Sequence, residues 1–84
     1  MSKLHRNHWG TIIGARLKNI RVAQDKTITE VAGAVGLSPS TIRKIEDGKA
    51  NWLLTTVIRL AKYYKVGLGD LFAEDTQNDS AAHD

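Results

Sequence analysis

Apolar side chains recur every three or four positions along most of this chain, the spacing of a single buried face on an α-helix. In the first such stretch Ile13, Leu17 and Ile20 share a face, while Arg16, Lys18 and Asn19 lie opposite. The pattern predicts a helix from about Thr11 to Gln24, broken by Asp25-Lys26. A second helix opens at Thr27-Ile28-Thr29-Glu30, where the threonine hydroxyl and the glutamate carboxylate can each bond the other residue's amide. Val31, Ala32 and Val35 form its buried stripe, and Gly36 ends it in a conformation costly for other residues. A third begins at once: Ser38 is a good N-cap, Pro39 occupies a first-turn position that needs no N–H, and Gly48 marks the exit. Ile42 and Ile45 point inward from it.

Beyond the loop Lys49-Ala50-Asn51-Trp52, a fourth helix is predicted from about Leu53 to Tyr64, with Leu54, Val57, Ile58 and Ala61 as its apolar face. Gly67 separates it from a short fifth, Leu68 to Phe72, whose Leu68, Leu71 and Phe72 would close the core. The fold class expected is therefore all-α, five helices in one domain. Residues 1–10 read as an N-terminal arm, 11–73 as the folded body with its central motif at about 27–47, and 74–84 as a disordered acidic tail.

Composition narrows the chemistry. A chain of 84 residues buries only roughly 60% of its unfolded surface, which leaves little room for a catalytic cleft. There are no cysteines, so disulfides, zinc fingers and thiol catalysis are excluded together. No nucleophile–base pair, paired carboxylates or phosphate-binding glycine loop stands out, so the expectation is a protein that is not an enzyme and uses no cofactor. His5 and His8 have helical i, i+3 spacing but no third ligand, which argues against a metal. No apolar run has the length of a membrane span, and no export signal is apparent, so a cytoplasmic location is expected.

Charge adds a partner class. The segment 74–84 holds Glu74, Asp75, Asp79 and Asp84 and no Lys or Arg. Setting those four acids aside leaves 12 basic and 5 acidic residues in 1–73, so the body is +7 where the whole chain is +3. A basic body suits a polyanion such as nucleic acid, although many small basic proteins bind none.

The stretch Ile28 to Glu46 then carries the functional reading. A helix-turn-helix needs a small residue where its two helices cross, a residue tolerant of positive φ in the turn, and apolar residues holding the second helix to the first. Ala32, Gly36, and the set Val31, Val35, Leu37, Ile42 and Ile45 meet those needs in order. From about Ile13 to Phe72 the chain resembles the Xre/Cro-type family of bacterial and phage repressors. The likeness rests on Gly14-Ala15-Arg16-Leu17, Ile20-Arg21, Thr27 with Val31-Ala32, and Val35-Gly36-Leu37-Ser38. It continues through Ser40-Thr41-Ile42, Lys44-Ile45-Glu46, Gly48, Leu60-Ala61 and Asp70-Leu71-Phe72. The segment Thr27 to Ala32 also resembles the opening of the lac-repressor-type headpiece.

Four positions depart from the Xre/Cro pattern. Ile28 stands where relatives often place a phosphate-binding Gln, and Asp25-Lys26 replaces the usual Gly-Leu. Trp52 replaces a loop Pro, and Gly67 replaces a capping Ser or Thr.

The resemblance implies a five-helix DNA-binding domain whose third helix enters the major groove N-terminus first. Ser38, Pro39, Ser40, Arg43 and Lys44 are the outward residues that would face base edges. Pro39 offers only an apolar contact, Ser40 discriminates weakly, and Arg43 and Lys44 are the long donors suited to guanine. Lys44 aligns with a base-reading position of the family; Arg43 could equally lie along the phosphates. Thr27, Ile28 (through its amide), Thr41, Lys49 and Asn51 would contact the backbone, with Lys3 and Arg6 adding a nonspecific contact. Trp52 either packs on a sugar-phosphate edge or plugs the core. Arg21 and Glu46 match positions that form an ion pair in relatives, a pair that would leave Arg21 near a phosphate; the alternative is that both are solvated surface charges.

The function expected is sequence-specific binding of double-stranded DNA as a transcriptional regulator of repressor type. It would act as a homodimer on a palindromic operator, pairing through Tyr63, Tyr64, Val66, Leu68 and Leu71 of the last two helices, unless those residues only close the monomer core. The alternative is an antitoxin-type or restriction-modification controller module that also binds a partner protein.

Overall fold

Five helices account for the regular structure: α1 Ser2–Ala23, α2 Ile28–Val35, α3 Pro39–Glu46, α4 Leu54–Tyr64 and α5 Leu68–Phe72. The computed structural model describes the backbone of residues 2–49 and 53–73 and the side chains of 9–49 and 53–73. Within that range there is no strand, so the all-α expectation holds. Asn51, Trp52 and the acidic segment 74–84 fall outside the described residues, as do the side chains of Lys3, His5, Arg6 and His8.

The periodic residues converge on one core. Ile13 and Leu17 of α1, Val31, Ala32 and Val35 of α2, Ile42 and Ile45 of α3, Val57, Leu60, Ala61 and Tyr64 of α4 and Leu71 of α5 are all buried. Helix α3 packs on both α1 and α2, α4 packs on α2 and α1, and α5 closes the core between α1 and α4.

The turns follow from residues suited to them. Asp25 takes φ 57 and stops α1. The Lys26 amide bonds the Arg21 carbonyl at 3.0 Å across that break. Gly36 adopts φ 75 at the end of α2, and the Leu37 amide returns to the Ala32 carbonyl at 2.9 Å, so the last carbonyls of α2 are satisfied before α3 begins.

Three expectations need correction. Helix α1 starts at Ser2 rather than near Thr11, so residues 2–10 continue the helix instead of forming a separate arm. Trp9 accounts for part of this: it is half-buried and its ring lies 6.1 Å from that of Phe72, which ties the added turns to the core. The buried face of α4 is Val57, Leu60, Ala61 and Tyr64, one turn further along than read from sequence. Leu54 is 53% exposed and Leu53, at the N-cap, is 67% exposed, because α4 meets the core only after its first turn. Finally, Tyr64 and Leu71 are buried within the monomer and cannot be part of a pairing surface. Tyr63, Val66 and Leu68 pack partly against the same core. The large apolar side chains left exposed among the described residues are Val22, Leu53 and Leu54.

Candidate nucleic-acid interface

Two capped helix starts define the site. At α2, the Glu30 amide donates to the Thr27 hydroxyl at 3.0 Å and the Thr27 amide donates to the Glu30 carboxylate at 2.8 Å. That backbone bond, with the threonine hydroxyl bond second, holds the Glu30 carboxyl below the ordinary glutamate range. The amides of Ile28 and Thr29 have no acceptor within the helix, as expected for a first turn. At α3, the Thr41 amide donates to the Ser38 hydroxyl at 3.1 Å, and the Ser38 and Thr41 hydroxyls share a 2.8 Å bond. Pro39 stands in the first turn without a missing partner.

The outer face of α3 follows from its inner one. Ile42 and Ile45 point into the core at 2% exposure each, which turns Ser40, Arg43 and Lys44 to solvent. Ser38 and Lys49 are also exposed, whereas Pro39 and Thr41 are half-buried. Asp47 joins that outer face three residues beyond Lys44 and is exposed. Sequence reading passed over it, although the same helical period that selected Arg43 and Lys44 includes it. The hydroxyls of Ser38 and Thr41 are already engaged with each other, so their first duty is to start the helix.

Thr27, exposed at the N-cap, and Ile28, half-buried at the first position of α2, sit together at that helix start. Arg21 is placed differently. Its Nε donates to Glu46 Oε2 at 2.8 Å, its Nη2 to Oε1 at 3.0 Å, and its Nη1 to the Lys26 carbonyl at 2.9 Å. The two side chains are only 12% and 4% exposed, and the bond to Glu46 raises the already high pKa of the guanidinium. The fork of Arg21 thus ties α1 to the last turn of α3, as the ion pair implied by the resemblance and not as two solvated surface charges.

Other residues that hold the helices around the site were not legible as such. Gly14 of α1 lies under the last turn of α3, where a Cβ would overlap the Ile45 carbonyl oxygen and come within 3.0 Å of that of Glu46. Arg16 donates from Nη1 to the Leu71 and Ala73 carbonyls at 2.8 and 2.6 Å, fastening α5 to α1. Arg59 donates to the Val35 carbonyl at 3.0 Å and Gln24 to the Tyr64 carbonyl at 2.9 Å. Each of these is a side chain meeting a distant carbonyl, a partnership with no local sequence signal.

The arrangement is two short helices, tightly joined at Gly36-Leu37-Ser38, with one presenting cations outward from a buried apolar seam. Residues 17–71 match the helix-turn-helix family. The chain belongs to that family. As a helix-turn-helix protein it is also similar to the cryptic phage CTXphi transcriptional repressor RstR of Vibrio cholerae, at 30% identity over 67 residues. That alignment takes in 80% of this chain and 60% of the repressor's length, so the chain spans less than two thirds of its relative. The match to the family covers α2 through α5 apart from the final residue Phe72, and the last third of α1; Ser2–Arg16 precede it. No helix among the described residues is long and apolar enough to cross a membrane. No group of three or more His, Cys, Asp or Glu among them is placed to hold a metal.

Proposed function

We propose that this helix-turn-helix protein is a transcriptional repressor that binds double-stranded DNA as a homodimer on a palindromic operator. In this reading α3 enters the major groove, with Lys44 and Arg43 as donors to base edges and Ser38, Pro39 and Ser40 as weak or apolar contacts. Thr27, the Ile28 amide, Thr41, Lys49 and Asn51 hold the phosphates on either side, and Arg21 acts through Glu46 by keeping α3 in place.

The observation that carries the reading is the disposition of α3: Ile42 and Ile45 are buried while Ser40, Arg43 and Lys44 are exposed. A short helix held by one face, with two long cations on the other, is suited to a groove lined with acceptors. The name of the similar phage protein, a transcriptional repressor, supports repression as the outcome. Pairing is favoured because one half-site contacted by so few donors discriminates poorly, and two half-sites multiply the discrimination.

Selection of bound sequences from a random duplex pool tests this directly. The expected result is an inverted repeat with half-site centres roughly 34 Å, about one helical turn, apart. Sedimentation of the selected complex should show two copies of the 9.3 kDa chain per duplex. Enrichment of no sequence, or of a single unpaired half-site carrying one copy, would refute it.

A further inference from the structure

We propose that Gly14 and Gly48 form a backbone seat that sets how deeply α3 can enter DNA, so that sequence discrimination depends on two residues that touch no base. The inference rests on the reading of α3 as the recognition helix and concerns what fixes its pose.

At Gly14 the approach of α1 to α3 is main chain against main chain. A Cβ there would overlap the Ile45 carbonyl oxygen and lie 3.0 Å from the Glu46 carbonyl oxygen and 3.2 Å from its carbon. None of these atoms belongs to a side chain that can rotate away. At Gly48, which has φ 73, a Cβ would lie 3.0 Å from the Thr11 Cα and 3.1 Å from its Oγ1. Both approaches lie between α1 and the C-terminal end of α3, and each meets main-chain atoms.

The other supports of α3 are softer. Towards α2 it packs through the side chains of Ile42 and Ile45, in the same cluster as Val31 and Val35, so that approach is set by side chains rather than by main chain against main chain. The Arg21–Glu46 bridge spans long side chains that can follow a shift. The main-chain contacts at the glycine seat cannot adjust by a change of rotamer, so they set the closest approach of α1 to α3.

Lys44 directly precedes Ile45, the residue whose carbonyl covers Gly14. A methyl inserted at Gly14 must therefore displace α1 and the turn that carries Lys44 relative to each other. Base readout requires placement within about 0.5 Å, whereas nonspecific binding is carried by sequence-independent electrostatics between cations and phosphates. Gly14→Ala should weaken binding to the selected operator while sparing nonspecific affinity.

Affinities are measured for the selected operator and for an unrelated duplex at one salt concentration, with Gly14→Ala, Gly48→Ala and Gly33→Ala compared with wild type. Gly33 is the control, since a Cβ there meets nothing within 4 Å. The expected result is a specificity ratio reduced at least tenfold in Gly14→Ala, a smaller reduction in Gly48→Ala, no change in Gly33→Ala, and nonspecific affinity within about twofold throughout. Should Gly14→Ala fold poorly, the double variant Gly14→Ala/Gly33→Ala, in which the second alanine offsets part of the loss, is measured in its place at a lower temperature.

An unchanged ratio in a folded Gly14→Ala protein overturns the proposal, as does an equal loss on both duplexes. If the wild type binds no duplex, the function proposed above fails, and the seat is decided by residual dipolar couplings reporting the α1–α3 angle. A changed angle in the Gly14→Ala protein upholds the seat, and an unchanged one overturns it.

Discussion

Arg21 and Glu46, 25 residues apart in the chain, meet fork to fork: two guanidinium nitrogens contact the two carboxylate oxygens at 2.8 and 3.0 Å. The geometry is bidentate and nearly dry, and the third nitrogen is held by the Lys26 carbonyl. The bridge therefore clasps three elements at once: the end of α1, the turn after it and the last turn of α3.

Removing one partner should leave the other partly buried and unpaired. Glu46→Ala is expected to cost about 2–4 kcal/mol, below the upper range for buried pairs because Arg21 reaches the surface. Urea unfolding of Glu46→Ala, Arg21→Ala and the double variant closes a thermodynamic cycle. The double variant should be more stable than the sum of the two single losses implies; strict additivity would mean that the bridge contributes no coupling.

Backbone conformation predicts opposite signs at chemically similar positions. Gly33 lies inside α2 with open space at its Cβ, so Gly33→Ala should stabilise by about 0.5–1 kcal/mol. Gly36 has the same open space but φ 75, so Gly36→Ala should destabilise by about 1–2 kcal/mol. Lys65 ends α4 at φ 62, where a side chain is disfavoured, and Lys65→Gly should gain about 0.5–1 kcal/mol. Thermal melts of the three variants check all three signs.

Two groups make stability depend on pH at opposite ends of the scale. Glu30 titrates below its unfolded value of about 4.3, so its contribution is present above that pH and is lost as pH falls through the folded value. Burial pushes the Tyr64 hydroxyl up to about 12 from about 10 in the unfolded chain. Its neutral form is favoured by folding, so that contribution is intact below pH about 10 and disappears as pH rises towards 12. Denaturant midpoints across the two windows should fall less steeply in Glu30→Gln at the acid end and in Tyr64→Phe at the alkaline end. Slopes equal to wild type would remove these residues as the source.

On DNA, cations on and beside α3 should separate by kind. Lys44→Ala is expected to relax preference at one base position of each half-site, at about 1–3 kcal/mol. Lys49→Ala should weaken all sequences alike and reduce the salt slope by about one for each phosphate it no longer neutralises. Affinity measured over a set of single-base operator variants distinguishes the two. A uniform loss in Lys44→Ala would reassign it to the phosphates.

What could be read without the fold was whatever depends on near neighbours. The capping box at Thr27 and Glu30, the Ser38-Pro39 start of α3, the turn at Gly36 and the division of α3 into Ile42/Ile45 and Arg43/Lys44 all involve residues within one or two helical turns. Their spacing is fixed by the helix itself, so the pattern along the chain carries them. The start of α1 was less legible, because its first turns lean on a contact between Trp9 and Phe72 that no local pattern encodes.

The sequence by itself determined five helices, a tightly joined central pair and a basic body, since periodicity, caps and charge are properties of short segments. Tertiary structure decided which of these residues act on one another. It placed Gly14 against the Ile45 carbonyl, chose the ion pair over solvated charges for Arg21 and Glu46, put Tyr64 and Leu71 in the monomer core rather than on a pairing surface and left Leu53 and Leu54 exposed. The physical reason is common to all four: burial and close approach depend on how far apart the helices lie, a distance set by packing across the whole core.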